Sequence, residues 1–188
     1  LETQLKLLKM QYHPHFLFNA LNTIYFLIDE ENEEAIEAVE LLSDLLRYQL
    51  YDINTKVTIE EEIDYLRTYI QFQRLRMTKR LQFEESFDPE LTGQKIHPLL
   101  SQPLLENAFK YIGGAYRIQV SMRKEGAKVC LGVSNTFNPD FLEQRKGKGI
   151  GIDNLRKRLE LLYPDKHELR IKKDNTRFRV ELCIDLSE

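Results

Sequence analysis

Cysteine is scarce: Cys130 and Cys183 are the only two in 188 residues, and they form no CxxC spacing. That excludes a disulfide framework and a cysteine-rich zinc module, and a reducing cytoplasmic setting fits best. An excess of one charge is also lacking. Lys+Arg 27 against Asp+Glu 30 leaves −3, so the bulk basic charge that would advertise direct nucleic-acid binding is missing. No apolar run approaches the roughly 20 residues needed to span a bilayer. Glycine is rare, eight in all, and the first is Gly93. No repeat or low-complexity segment is present. What remains, 42% hydrophobic and 30% charged residues, is the composition of a soluble globular chain long enough for a real core. The sequence opens on Leu1 rather than Met, as expected of a piece of something longer whose signal or membrane anchor would lie outside it.

Two periods divide the chain. Up to about Lys79 the rhythm is helical. Leu1, Leu5, Leu8 and Tyr12 repeat at spacings of four and three, the seam of a coiled coil or bundle. Ile36, Val39, Leu42 and Leu46 mark a second helix over about 33–50. Thr58 and Glu61 form a capping box that opens a third, with Ile59, Ile63, Leu66 and Ile70 on its apolar stripe. Beyond about Arg80 the period moves toward two. Ile118, Val120 and Met122 alternate with polar residues, as do Val129, Leu131 and Val133, with Lys124-Glu125-Gly126 as the turn between them. Phe178, Val180, Leu182, Ile184 and Leu186 predict a last strand after the turn-like Lys173-Asp174-Asn175. Helices are expected from Leu99 to about Ile112 and from Ile152 to Tyr163, closed by Pro164. The expected class is α+β: a helical hairpin over residues 1–80, then an α/β sandwich over 81–188 with helices on one face of a mixed sheet.

Three short stretches carry chemistry. His13-Pro14-His15-Phe16-Leu17-Phe18-Asn19 puts a proline inside a helical run, which removes a backbone donor and kinks the helix. Residues two apart on a helix point about 200° away from each other, so His13 and His15 cannot share a metal ion. A neutral imidazole is a competent nucleophile near pH 7, because its pKa lies near 6.5. In Gln102–Tyr111, Asn107 and Lys110 share a helix face. An amide oxygen there suits Mg²⁺ and a lysine one turn away can meet phosphate oxygens. Gly147-Lys148-Gly149-Ile150-Gly151 runs into a helix start, where backbone N–H groups can hold an anion. It matches neither the Walker nor the Rossmann pattern. Taken singly, each stretch also reads as an ordinary surface feature.

In this order the three stretches resemble the LytS-like (autolysin-sensor type) bacterial sensor histidine kinases. Pro14, His15, Phe16, Leu17, Phe18 and Asn19 are similar to the phosphoacceptor box, with His13 where the family usually has Asn. Pro103, Leu104, Glu106, Asn107, Ala108 and Lys110 are similar to the N box, with Tyr111 in place of its histidine. Gly147, Gly149, Ile150, Gly151, Asn154, Arg158 and Leu159 are similar to the glycine box. One motif departs: the strand of Val129–Val133 ends in Ser134-Asn135-Thr136-Phe137. Asn135 therefore stands where the family has the adenine-reading aspartate, and the glycines that follow it there are absent.

The resemblance implies a dimerising phosphoacceptor part at 1–80 and a GHKL-type ATP-binding part at 81–188. It implies autophosphorylation of His15 by ATP–Mg²⁺ and transfer to an aspartate of a response regulator. Asn107 would hold the metal, and Lys110, Asn135, Gly147, Gly149, Gly151 and Asn154 would contact nucleotide. Glu106 is a candidate acid or base. It further implies a homodimer and a bacterial inner-membrane parent of which this is a cytoplasmic region. The altered Asn135 motif keeps a rival open: a signalling scaffold with a degenerate ATPase-like domain that binds a regulator without kinase activity. A serine kinase or ATPase of the same superfamily would lack the box around His15.

Overall fold

The computed structural model describes residues 20, 23–24, 27, 32–49, 55–77, 79–139 and 150–187. The Leu1–Tyr12 seam, the box containing His13 and His15, Gly147 and Gly149 lie outside the described residues. In chain order the elements are α1 (Glu33–Gln49), β1 (Val57–Thr58), α2 (Ile59–Leu75), β2 (Gln82–Phe87), β3 (Lys95–Ile96) and α3 (Gln102–Tyr111). There follow β4 (Arg117–Glu125), β5 (Lys128–Thr136), α4 (Ile150–Leu162), β6 (His167–Lys173) and β7 (Arg177–Asp185).

The capping box that opens α2 forms as its sequence predicts. Glu61 N donates to Thr58 Oγ1 at 3.3 Å and Thr58 N to Glu61 Oε2 at 2.7 Å, so two of the turn's free donors are satisfied. The stripe on α1 splits instead. Ala38, Leu42, Leu45 and Tyr48 are buried, while Ile36 and Val39 remain 63% and 51% exposed.

The sheet is mixed, in the order β2-β4-β5-β7-β6. β2 runs parallel to β4, and every other neighbouring pair is antiparallel. Period-two alternation sends Ile118, Val120, Met122, Val129, Leu131, Val133, Val180, Leu182 and Ile184 to one face, all buried. Gln119, Ser121, Gly132, Ser134, Arg179 and Glu181 take the other, which is polar. One hydrophobic core joins Leu45 of α1 and Ile59, Leu66 and Phe72 of α2 to Leu104, Ile118, Leu155 and Leu159. The architecture is α+β with helices on one face of a mixed sheet, as expected.

Three local readings are corrected. The β4–β5 connection is Gly126-Ala127, with Glu125 paired to Lys128, and Gly126 supplies the positive φ of +60° that a two-residue hairpin turn asks for. α3 starts at Gln102, not Leu99, because Leu99 is in the left-handed region (φ 61°) and breaks the helical path. Cys130 and Cys183, expected in a reducing setting, form a single disulfide. Register explains it: the two residues are direct partners across β5 and β7, which their separation of 53 in sequence does not reveal.

Candidate functional site

α3 packs against both β5 and α4. These three elements carry the described site residues: Glu106, Asn107 and Lys110 on α3, Asn135 near the end of β5, and Gly151 and Asn154 in the first turns of α4. Asn135 is 2% exposed and pairs with Ile118 and Phe178. Strand parity therefore turns it toward the helices with Val133, while Ser134 joins Gly132 in a groove on the open face. Its Nδ2 donates to Thr136 O at 3.2 Å. Among the described residues, no donor is bonded to its Oδ1, so a nearly buried acceptor stays available.

The loop after α3 fixes this strand end. Gly113 N donates to Thr136 O at 2.9 Å, and Thr136 Oγ1 donates back to Gly113 O at 2.8 Å. A Cβ on Gly113 would lie 3.0 Å from Asn138 N, a tight contact that glycine avoids. Gly151 differs: its φ is not positive and a Cβ would meet nothing within 4 Å. Among the described residues, packing does not demand that glycine.

On α3, Asn107 is half-buried and Lys110 exposed, with the Lys110 ammonium 5.3 Å from the centre of the Tyr111 ring. Glu106 accepts from Gln102 Nε2 at 2.7 Å. Burial pushes its carboxyl above the usual range, against the opposing pulls of Gln102 and Lys110. Burial also raises the Tyr69 hydroxyl, and the charge of Glu106 adds to it. Glu106 thus stands within electrostatic reach of α2. Asn154 and Arg158 of α4 are both buried.

A nucleotide with its metal fits this donor set. Asn135 offers an acceptor, and Asn107 offers a hard carboxamide oxygen of the kind Mg²⁺ takes together with phosphate oxygens. Among the described residues only Glu125, Cys130 and Cys183 cluster as alternative metal ligands, and those sulfurs are bonded to each other.

The sequence family described as histidine kinase matches residues 3–81. Over 182 residues the chain is 35% identical to the sensor histidine kinase YesM of Bacillus subtilis (strain 168), covering 93% of this chain and 32% of that protein. Over nearly its whole length the chain is similar to a sensor histidine kinase. It is also 31% identical over 174 residues to the sensor histidine kinase BtsS of Escherichia coli (strain K12), covering 90% of this chain and 31% of that one. The chain thus spans about a third of the length of the curated relatives it matches. The histidine kinase domain of the blue-light-activated kinase from Erythrobacter litoralis shares the fold at TM-score 0.53 and 14% identity, over 98% of this chain and 92% of that one.

Two features of the chain were not legible from the sequence. Glu62 is fully buried, yet it follows Glu60 and Glu61 in the first turn of α2, where acidic residues ordinarily answer the helix dipole in solvent. Gly113-Gly114 reads as a helix terminator, and its packing against Phe137-Asn138 is a long-range fact. The signal for Glu62 was its position one residue before Ile63, on the edge of the apolar stripe.

Proposed function

We propose that the chain is the cytoplasmic transmitter region of a LytS-like two-component sensor kinase. Residues 1–80 pair two copies and present His15, and residues 81–188 bind ATP–Mg²⁺. The exposed Ile36 and Val39 on α1 support a second copy as the cover for that side, since a four-helix bundle from two chains would bury them. No helix among the described residues is long and apolar enough to cross a membrane; on this reading, anchoring belongs to parts of the parent outside this sequence.

The observation that carries the reading is Asn135: a nearly buried side chain whose oxygen has no donor among the described residues, on the strand against which the helix bearing Asn107 and Lys110 packs. Bound ATP would supply the phosphoryl group and the electrostatic pull of its metal. The chain's own part is placement and charge neutralisation, which phosphoryl transfer chiefly needs. Asn135 Oδ1 accepts from the adenine amino group. Asn107 holds the metal through its amide oxygen, and Lys110 neutralises phosphate. The backbone at Gly147, Gly149 and Gly151 lets phosphates approach, and Asn154 adds a polar group at the helix start. A ring nitrogen of His15 would bond the γ-phosphorus as its bond to the leaving ADP breaks, and an aspartate of a response regulator would then take the phosphoryl group, freeing the imidazole. Glu106 carries a raised pKa and is kept as an acid or base candidate.

The scaffold reading draws on the same residue, because a neutral amide is a weaker acceptor than the carboxylate it replaces. The two part on one experiment. Incubation with γ-labelled ATP and Mg²⁺ should leave an acid-labile, alkali-stable label on the protein, as phosphohistidine requires. Regulator binding without any label would favour the scaffold.

A further inference from the structure

The segment between β3 and α3 is held from both sides. Glu62 of α2 is 0% exposed. It accepts from Leu99 N at 3.0 Å and Ser101 N at 3.4 Å, and from the Ser101 hydroxyl. Its Oε2 also accepts from Tyr48 Oη of α1 at 2.6 Å. From the other side Arg158 of α4 donates to Pro98 O at 2.6 Å and Leu99 O at 3.1 Å. Tyr163 Oη accepts from His97 N at 2.8 Å. Ser101 is the N-cap of α3, yet its side chain makes no capping bond, because its hydroxyl is given to Glu62. A buried carboxylate is costly unless well paired. Glu62 meets that cost with four donors and a position beside the positive end of α3. Leu99, at φ 61°, sits in a conformation that non-glycine residues keep only where surroundings over-determine it.

One carboxylate therefore touches α1, α2 and the first residues leading into the helix of Asn107 and Lys110. The same short segment is bonded to the glycine-box helix. We propose that Glu62 is a positioning residue of the kinase reaction, and that the Tyr48–Glu62 bond transmits the placement of α1 to α3. This rests on the nucleotide site proposed above. If α1 shifts, Tyr48 withdraws from Glu62, the carboxylate loses one of its donors, and its hold on Leu99 and Ser101 loosens.

The test compares the full chain with Tyr48→Phe, Ser101→Ala, their combination, and Glu62→Gln. The first readout needs no nucleotide. Tyr48→Phe should speed exchange of the Leu99 and Ser101 amides by about fivefold, the worth of one modest hydrogen bond, although neither amide touches Tyr48. Unchanged exchange there would overturn the transmission. The second readout is Mg–ATP affinity against labelling rate. Glu62→Gln should weaken Mg–ATP binding by about tenfold, as expected for a misplaced helix. Tyr48→Phe should leave affinity within about twofold and slow labelling by about fivefold. Losses for Tyr48→Phe and Ser101→Ala should combine non-additively, since both act through one carboxylate. Purely additive losses, or a Glu62→Gln protein that melts earlier but binds and labels like the parent, would reduce Glu62 to fold support. If Glu62→Gln does not fold, the Tyr48 and Ser101 pair decides. Failure of the parent itself to bind Mg–ATP would instead strike the nucleotide site and leave the exchange result standing.

Discussion

Glu62 and Arg158 grip Leu99 from opposite sides, one through its N–H at 3.0 Å and the other through its carbonyl at 3.1 Å. Arg158→Ala would strip Pro98 O and Leu99 O of a charged donor in a buried setting. The expected loss is about 2–4 kcal/mol of unfolding free energy, read from urea denaturation. A loss below about 1 kcal/mol would show that water replaces the guanidinium without cost.

Asn135 should act as a working adenine contact. Asn135→Ala is expected to weaken ATP binding by about 1–3 kcal/mol, because the base's amino group would be left unpaired. Asn135→Asp should tighten it, since a charged acceptor makes the stronger bond. GTP should bind poorly to all three, as its ring carbonyl offers an acceptor where a donor is needed. Calorimetry checks this, and equal ATP affinity in parent and Ala variant would remove the contact.

Much of this site was legible because its signals are local. The capping box of Thr58 and Glu61 needs four consecutive residues, and the strand of Val129–Val133 announces its faces by alternation. That parity alone separates Asn135 from Ser134. What the sequence hid is long-range. β2 has Glu85 on the helix-covered side, where it lies 3.6 Å from Arg67 of α2, so its alternation of apolar and polar residues is broken and no strand is expected there. The start of α3 depends on Leu99, whose backbone is set by Glu62 and Arg158 far away in sequence. The division near residue 80 follows the change of period, while the buried core and the Tyr48–Glu62–Leu99 bonds run across it.

Glu106 gives a pH signature. Burial holds its folded carboxyl above the ordinary 4.5, so between the two values the folded chain keeps a proton that the unfolded chain has released. Stability must fall as pH rises through that interval. Glu106→Gln cannot ionise and keeps an acceptor for Gln102, so it should gain on the parent as pH rises over the range above 4.5. Denaturation curves of constant offset across that range would contradict the burial effect.

Dimerisation should depend on the exposed side of α1. Sedimentation of the parent at tens of micromolar should show dimer, a rough range for association near −6 to −7 kcal/mol. Replacing both Ile36 and Val39 by Asp should shift it to monomer while leaving the far-ultraviolet spectrum unchanged. A monomeric parent would contradict the pairing, and a variant that dimerises equally well would place the pairing surface elsewhere.

The most direct measurement of the central claim is the fate of labelled phosphate in two variants. The chain, His15→Gln and His13→Asn are each incubated with γ-labelled ATP and Mg²⁺, then treated with acid and with alkali. The account predicts acid-labile, alkali-stable label in the parent and in His13→Asn, and none in His15→Gln. Label that survives His15→Gln, or a parent that binds ATP yet takes up no label, would contradict it.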